Sequence, residues 1–311
     1  MVSPHTYKIR NYRPSDFDAY VDLHVVTEQI DQSSRCTSRQ ILRENLQRPL
    51  YDPKKDLFIA EAAGKIVGFL NITPELITRR VLLDCMVHPE HRRQGLAKSL
   101  LERAMQRARE LPVTVIHVSV LEDNTAAREA LSRLGFTEVR QFLEMSLPIS
   151  NLKPSDTPNK GLALRHLRRG EEAKLAEVQN SCFAGTWGFN PNTPEEIAYA
   201  LSLSGTSVKD VVILYDYERP AGYCWTKINC AGRAATGEKR GRILMLGVDP
   251  DYRGRGIGKL ALWAGLSSLK DKGMATVELT VDSDNPAACS LYRSAGFQVL
   301  TRNLYYERQL D

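Results

Sequence analysis

Residues 248–266 read VDPDYRGRGIGKLALWAGL, and residues 87–101 read VHPEHRRQGLAKSLL; Val248 and Val87 stand 161 positions apart. The same offset carries DNTAAREALSRLGF (123–136) onto DNPAACSLYRSAGF (284–297). Two blocks that hold one register across about 50 residues mark a duplicated domain, because the period far exceeds that of any solenoid repeat. Nearer the start of each copy, IRNYRPSD (9–16) matches LRHLRRGE (164–171) at an offset of 155, and Gly68 and Gly222 stand 154 apart. The seven extra residues of the second copy are therefore expected in one loop between Gly222 and Val248, where KINCAGRAATGEKRGR (227–242) runs long and polar. The stretch PISNLKPSDTPNKG (148–161) lacks apolar periodicity and reads as a linker. These limits give a first domain at residues 1–150, a linker at 151–160 and a second domain at 161–311.

Composition narrows the class. The 311 residues are 42% hydrophobic and 25% charged, as in ordinary globular domains. No apolar run approaches the roughly 18 residues that span a bilayer, and MVSPHTYKIRNYRPSDF has no signal-peptide core. A cytoplasmic location with no membrane partner is expected. The six cysteines form no CxxC pair, so neither a zinc cluster nor a dithiol site is indicated, and no metal is expected. A net charge of +5 without a basic, aromatic-laced run suits an anionic ligand rather than nucleic acid. Either a monomer or a homodimer is compatible with this composition.

Each copy alternates strands with helices, and a hairpin (DLFIAEAAGKIVGFLNI; VVILYDYERPAGYCWTK) makes the sheet mixed. The fold class is α/β. A strand (VLLDCMV; ILMLGV) enters a Gly-rich turn, and a helix leaves it with Leu96, Leu100, Leu101, Ala104 and Ala108 on one face, or Ile257, Leu260, Ala261, Ala264 and Leu269. Glycines let backbone N–H groups approach a ligand, and a helix N-terminus adds unpaired donors and a positive dipole end. Phosphate is the natural occupant. Arg253, Arg255 and Lys259, repeated as Arg92, Arg93 and Lys98, crowd a terminus that disfavours cations, which again calls for an anion. Neither GxxxxGK[ST] nor GxGxxG fits the stretch.

At these residues the sequence resembles the GCN5-related N-acetyltransferases (GNAT). Their motif [Q/R]-x-x-G-x-[G/A] stands here as Arg253-Gly254-Arg255-Gly256-Ile257-Gly258 and as Arg92-Arg93-Gln94-Gly95-Leu96-Ala97. A later signature appears as Asn285, Tyr292, Gly296 and Phe297. The resemblance covers nearly the whole chain and implies two tandem domains, each a mixed, mostly antiparallel sheet flanked by helices. It implies acetyl-CoA as cofactor, with the pyrophosphate on the N–H groups of residues 254–259, ending at Lys259. Pantetheine would pair with strand backbone near Leu246 and Val248, which would also polarise the acyl carbonyl. Asn285 would hold the cofactor arm and Tyr292 would protonate the thiolate as general acid. The corresponding cradle in the first copy is Met86, Val87, Arg92, Arg93, Gln94, Gly95, Leu96, Ala97, Lys98 and Asn124. There the place of Tyr292 is taken by Leu131, which has no proton to give, so the first domain is expected to be non-catalytic while keeping a CoA cradle.

The implied activity is N-acetyl transfer to the primary amine of a small molecule; the alternatives are a non-catalytic acyl-CoA-binding module and a protein acetyltransferase. Two-domain members of the family are expected to carry an acidic base just before the fourth strand. This chain has Arg242 there, which leaves Glu238 as the substitute. Trp187, Phe189 and Trp225 are candidates for the acceptor wall, with simple packing as the alternative.

Overall fold

The computed structural model describes residues 7–31, 37–149, 152, 161–229 and 239–310. The chain forms two compact units, Met1–Val139 with Leu304–Asp311 (unit 1) and Arg140–Asn303 (unit 2).

Unit 1 contains β1 (Lys8–Asn11), α1 (Phe17–Ile30), α2 (Arg39–Leu46), α3 (Pro53–Asp56), β2 (Leu57–Ala62), β3 (Lys65–Glu75), β4 (Arg80–Val87), α4 (Leu96–Arg109), β5 (Val115–Leu121) and α5 (Thr125–Arg133). Unit 2 begins within β6 (Thr137–Pro148). It continues through β7 (Ala163–His166), α6 (Glu172–Phe183), α7 (Pro194–Ser202), β8 (Val211–Asp216), β9 (Arg219–Asn229), β10 (Arg240–Val248), α8 (Ile257–Asp271), β11 (Thr276–Asp282) and α9 (Pro286–Ser294) into β12 (Gln298–Gln309). The strand order is β1-β2-β3-β4-β5-β12 in unit 1 and β7-β8-β9-β10-β11-β6 in unit 2. Strands β4–β5 and β10–β11 run parallel, while β1–β2, β2–β3, β3–β4, β7–β8, β8–β9, β9–β10 and β6–β11 run antiparallel, so each sheet is mixed and mostly antiparallel. Among the described residues no helix is long and apolar enough to cross a membrane.

The last strand of each sheet comes from the other sequence copy. In unit 2, β6 pairs with β11 from Thr276↔Pro148 to Asp282↔Phe142. In unit 1, Leu304 and Tyr306 of β12 lie in the core with Phe58, Leu100 and Ile116. The Leu310 N–H there donates to Thr114 O at 2.9 Å, and His117 Nε2 meets Glu307 at 2.8 Å.

Each sheet carries a core on both faces. Helix α4 buries Leu96, Leu100, Leu101, Ala104, Met105 and Ala108, a stripe at helical spacing, against one face of unit 1. Tyr20, Val21 and Leu23 of α1 cover the other with Phe69. In unit 2, α8 buries Ile257, Ala261, Leu262, Leu266 and Leu269 on one face, and α6 packs Leu175, Val178 and Cys182 against Tyr223 and Trp225 on the other. Helix α8 lies so close to β9 that a Cβ on Gly265 would stand 2.4 Å from Cys224 Sγ. The repeated IRNYRPSD/LRHLRRGE pattern encodes one lock made twice. Arg10 holds Asp16 at 2.7 Å, and Arg165 holds Glu171 at 2.8 Å, each pulling β1 or β7 onto the following turn.

The seven extra residues of the second copy do not all fall in a loop. The β3–β4 pairing ends at Glu75↔Arg80 and the β9–β10 pairing at Asn229↔Arg240, so the offset moves from 154 (229 − 75) to 160 (240 − 80) across the hairpin connection. The last step, to 161, is a β-bulge: the register shifts between Ile243 and Met245, leaving Leu244 as the inserted residue. No such shift occurs between β3 and β4.

Candidate acyl-transfer site

The two parallel pairs are short. Strands β10 and β11 pair from Arg240↔Thr276 to Arg242↔Glu278, yet they run on to Val248 and Asp282. In unit 1 the pairing stops at Leu83↔Val118 while β4 continues to Val87. Each sheet therefore opens into a gap bordered by unpaired strand backbone, with the Leu244 bulge at its apex in unit 2. Bulges commonly sit beside active sites because they re-aim backbone groups.

The Gly-rich loop stands at the mouth of each gap. Gly256 caps α8 with φ 79° and Gly95 caps α4 with φ 80°, and neither helix has a side-chain cap. By contrast, Ser38, Asp52, Asn124, Thr193 and Asn285 each cap a helix with a side-chain oxygen. The uncapped first-turn amides of α8 and α4 are the donors a diphosphate requires. The backbone is also drawn in tightly. A Cβ on Gly222 would lie 2.9 Å from Gly247 O and 3.1 Å from Ile257 Cγ2, and one on Gly68 would lie 3.1 Å from Met86 O. These residues fit the pyrophosphate and pantetheine of a CoA thioester.

The loop's charges divide into latches and exposed cations. Arg253 spends its guanidinium on carbonyls, Nε to Val248 O at 3.3 Å and Nη2 to Cys182 O at 2.7 Å. Arg92 does the same with Val87 O at 3.0 Å and closes a two-pronged pair with Asp31 at 2.8 and 2.6 Å. Both tie the loop to the end of the helix on the opposite face, α6 or α1. Arg255 stacks over Tyr252, 5.2 Å from the ring centre. Gln94 accepts from Tyr7 Oη at 2.7 Å and donates to Glu90 O at 3.0 Å. Lys259 and Lys98 are exposed. Arg93 occupies the place of Gly254 and takes the same left-handed backbone, φ 60° against 74°. That conformation strains any residue with a Cβ.

Asn285 and Asn124 start the next helices. Their side-chain oxygens accept from Ala288 N at 3.0 Å and Ala127 N at 3.1 Å, which caps each helix. Tyr292 lies on α9, 6% exposed, with its ring edge-on to Phe297 at 5.8 Å. Burial pushes its hydroxyl pKa well up, and Cys224 and Cys289 add to the shift. In unit 1, Leu131 occupies the place of Tyr292 and is buried as core.

A sequence model of the acetyltransferase (GNAT) family matches residues 20–136 and 172–297. The chain belongs to this family. It is a tandem acetyltransferase that uses acetyl-CoA. The mycothiol acetyltransferase of Stackebrandtia nassauensis is 30% identical over 276 residues, spanning 83% of this chain and 84% of that one. The mycothiol acetyltransferase of Propionibacterium freudenreichii is 29% identical over 258 residues, or 80% and 76%. The fold is shared with a GCN5-related N-acetyltransferase from Sphaerobacter thermophilus (TM-score 0.75, 20% identity, 98% and 96% of the two chains). It is shared too with a tandem GNAT protein from the clavulanic acid biosynthesis pathway (TM-score 0.73, 15% identity, 98% and 99%).

On the α6 face of this acetyltransferase's unit 2, Trp187 lies 5.9 Å from Phe142 and carries Arg140 over its ring at 5.7 Å. Phe189 stacks on Phe183 at 5.2 Å. Trp225 is buried among Val211, Ile213 and Tyr223, with no hydrogen-bond partner found for its indole N–H. Of the three, the structure places Trp187 beside the end of β11, where Arg140 grips Asp282. Glu238 lies outside the described residues. Arg242, at the last β10–β11 pair, donates to Glu144 Oε2 at 3.0 Å and also to Thr280. Glu144, Arg140 and Asp282 were missed in the sequence, because nothing in β6 signals that it will lie beside β11.

Proposed function

We propose that unit 2 transfers the acetyl group to the primary amine of a small molecule, with Tyr292 as the general acid. One contrast carries the reading. Two gaps with matching uncapped helix starts carry different residues at the place of a proton donor, Tyr292 in unit 2 and Leu131 in unit 1.

Acetyl-CoA, when bound, supplies an activated thioester. The amides of residues 254–259 hold its diphosphate, with Lys259 as the adjacent cation. The gap-facing backbone of β10, from the bulge through Leu246 to Val248, pairs with the pantetheine arm and offers an N–H to the developing oxyanion. The low-polarity surroundings of Tyr292 keep its hydroxyl protonated at neutral pH, ready to give the proton to the leaving sulfur. The acceptor enters from the α6 face beside Trp187. The relatives' name makes a mycothiol-related amine the first acceptor to assay, although Arg242 stands where those enzymes are expected to hold an acid.

Tyr292→Phe is the test. The change keeps the ring and its contact with Phe297 and removes only the hydroxyl. Turnover with a panel of small amines is expected to fall about 100-fold or more, with the KM for acetyl-CoA nearly unchanged. An unaltered kcat removes the general-acid role.

A further inference from the structure

Acetyl transfer to an amine has a second proton to place. An ammonium nitrogen has no lone pair, so it must lose a proton before it can attack a thioester, and a nearby carboxylate is a natural receiver. Strand β10 offers none at the head of the gap, where Arg242 closes the last β10–β11 pair. The neighbouring strands do. Val277, Leu279 and Val281 of β11 are buried in the core under α8, so Glu278, Thr280 and Asp282 face the other way. On β6, Ser146, Glu144 and Phe142 stand opposite them in that order. On β10, Ile243 lies in the α8 core and a Cβ on Gly241 would meet Leu269 of α8, which turns Arg242 to the same face as Glu144. In unit 2 this face of β6 and β11 carries three carboxylates, Glu144, Glu278 and Asp282.

Their surroundings separate them. Glu278 sits at the last closed β10–β11 pair and is held by Arg240. Asp282 is buried, and its two oxygens accept from Arg140 Nε and Nη2 and from the Asp284 N–H. Glu144 is placed differently. It stands across from Thr280, the first residue of this face beyond the closed pair, level with the Leu244 bulge where the gap opens. Thr280 Oγ1 donates to Glu144 Oε1 at 2.7 Å, and Arg242 Nη2 reaches over β11 to Oε2 at 3.0 Å. Among the described residues Oε2 accepts that one bond, and a carboxylate oxygen has a lone pair left for a second donor. The group is open to solvent, with the Arg242 side chain 31% exposed, that of Glu144 20% and Thr280 exposed.

The duplication supplies a control. At the places of Glu144 and Thr280, unit 1 has Tyr305 and Ser119 by the offset of 161, and at the place of Arg242 it has Leu82 by the strand register. The carboxylate is missing from the same unit that lacks the Tyr292 hydroxyl, so the fold requires neither.

We propose that Glu144 is the general base of unit 2: its Oε2 meets the acceptor's ammonium group and takes one proton from it, while Thr280 and Arg242 fix the carboxylate at the apex of the gap. The inference rests on the reading of unit 2 as the acetylating unit. One N–H bond of the ammonium breaks and an O–H bond forms on Glu144. The freed lone pair makes the N–C bond, and the C–S bond then breaks. The sulfur takes its proton from Tyr292, a second proton from the nitrogen restores Tyr292, and Glu144 passes its own to water.

The test sets two nucleophiles side by side on the full chain, with thiol release from acetyl-CoA as the readout. One is the best cationic acceptor from a panel of small primary amines; the other is hydroxylamine, which is uncharged at neutral pH and needs no base. Glu144→Gln keeps an oxygen that can accept from Thr280 and Arg242. It should lower kcat/KM for the cationic amine about 100-fold or more and that for hydroxylamine less than about threefold, with the KM for acetyl-CoA unchanged. The deficit should shrink as the pH rises toward the amine's own pKa, where solution supplies the neutral form. Glu144→Asp keeps the charge but withdraws it by one methylene, so it should show the same selectivity in weaker form, and it carries the test if Glu144→Gln does not fold. A purely structural ion pair predicts equal losses on both nucleophiles, and that result overturns the proposal. So does an unchanged rate with the cationic amine in Glu144→Gln while Tyr292→Phe is slow. If both variants turn over like the parent chain, the reading of unit 2 fails and this one falls with it.

Discussion

Ending the chain at Asn303 removes eight residues, Leu304–Asp311, that lie at the end of the second copy yet belong to unit 1. Leu304 and Tyr306 are each 4% exposed in the core of that unit. Losing two such side chains costs about 3–6 kcal/mol at roughly 1.5–3 each. The truncation also removes His117–Glu307, Arg308 Nη1 to Leu134 O, Arg128 to Tyr306 Oη and Leu310 N–H to Thr114 O, each worth about 0.5–1.5 kcal/mol. A domain holds only about 5–15 kcal/mol in total, so unit 1 should lose most of its stability. Unit 2 comprises Arg140–Asn303 and keeps every residue of its own. Hydrogen exchange on the truncated chain, compared with the full one, should show amides of β2, β3 and α4 losing protection while those of β9 and α8 are retained. If protection is lost in unit 2 and kept in unit 1, the exchange of closing strands is refuted.

Two further outcomes follow from local geometry. Gly222→Ala places a Cβ 2.9 Å from a backbone carbonyl that cannot yield, whereas Gly254→Ala meets nothing within 4 Å and bears only its left-handed φ of 74°. Thermal melting should show the first losing about 1–3 kcal/mol and the second about 1, and the reverse order contradicts the close approach. The hydrogen bond from Arg165, assisted by the Arg168 N–H, holds Glu171 down from 4.5 to about 2. A carboxylate depressed in the folded state adds stability above its unfolded value, lost as pH falls from about 4.5 to about 2. Glu171→Gln should therefore flatten the fall in melting temperature across that window and change little below it; an unchanged slope means the pair is not formed.

Much of this architecture is legible in the residues. VDPDYRGRGIGKLAL and its earlier twin give the strand, the Gly-rich turn and the helix, because those glycines and the apolar spacing admit few other conformations. The roles of the arginines were harder to read. Arg92 and Arg253 stand where cations suit a phosphate, and only their tertiary partners, Asp31 and the carbonyls of Cys182 and Val248, reveal latches. The destinations of β6 and β12 are hidden for another reason: alternating apolar residues state which face is buried but not which sheet receives it.

The inserted Leu244 has a consequence for anyone who moves residues between the copies. A strand shows alternate side chains to opposite sides, and the bulge takes up the added residue so that Gly241 and Ile243 before it and Leu246 and Val248 after it all face α8. Upstream of the insertion the partner of Arg242 is Leu82, not Val81, and counting by a single offset would graft a charge into the place of Val81, beneath α4. Deleting Leu244 would restore the regular alternation seen in β4, where Val81, Leu83 and Val87 share one face, and would leave Ile243, Leu246 and Val248 under α8. A single peptide unit keeps the two halves from being interchangeable parts.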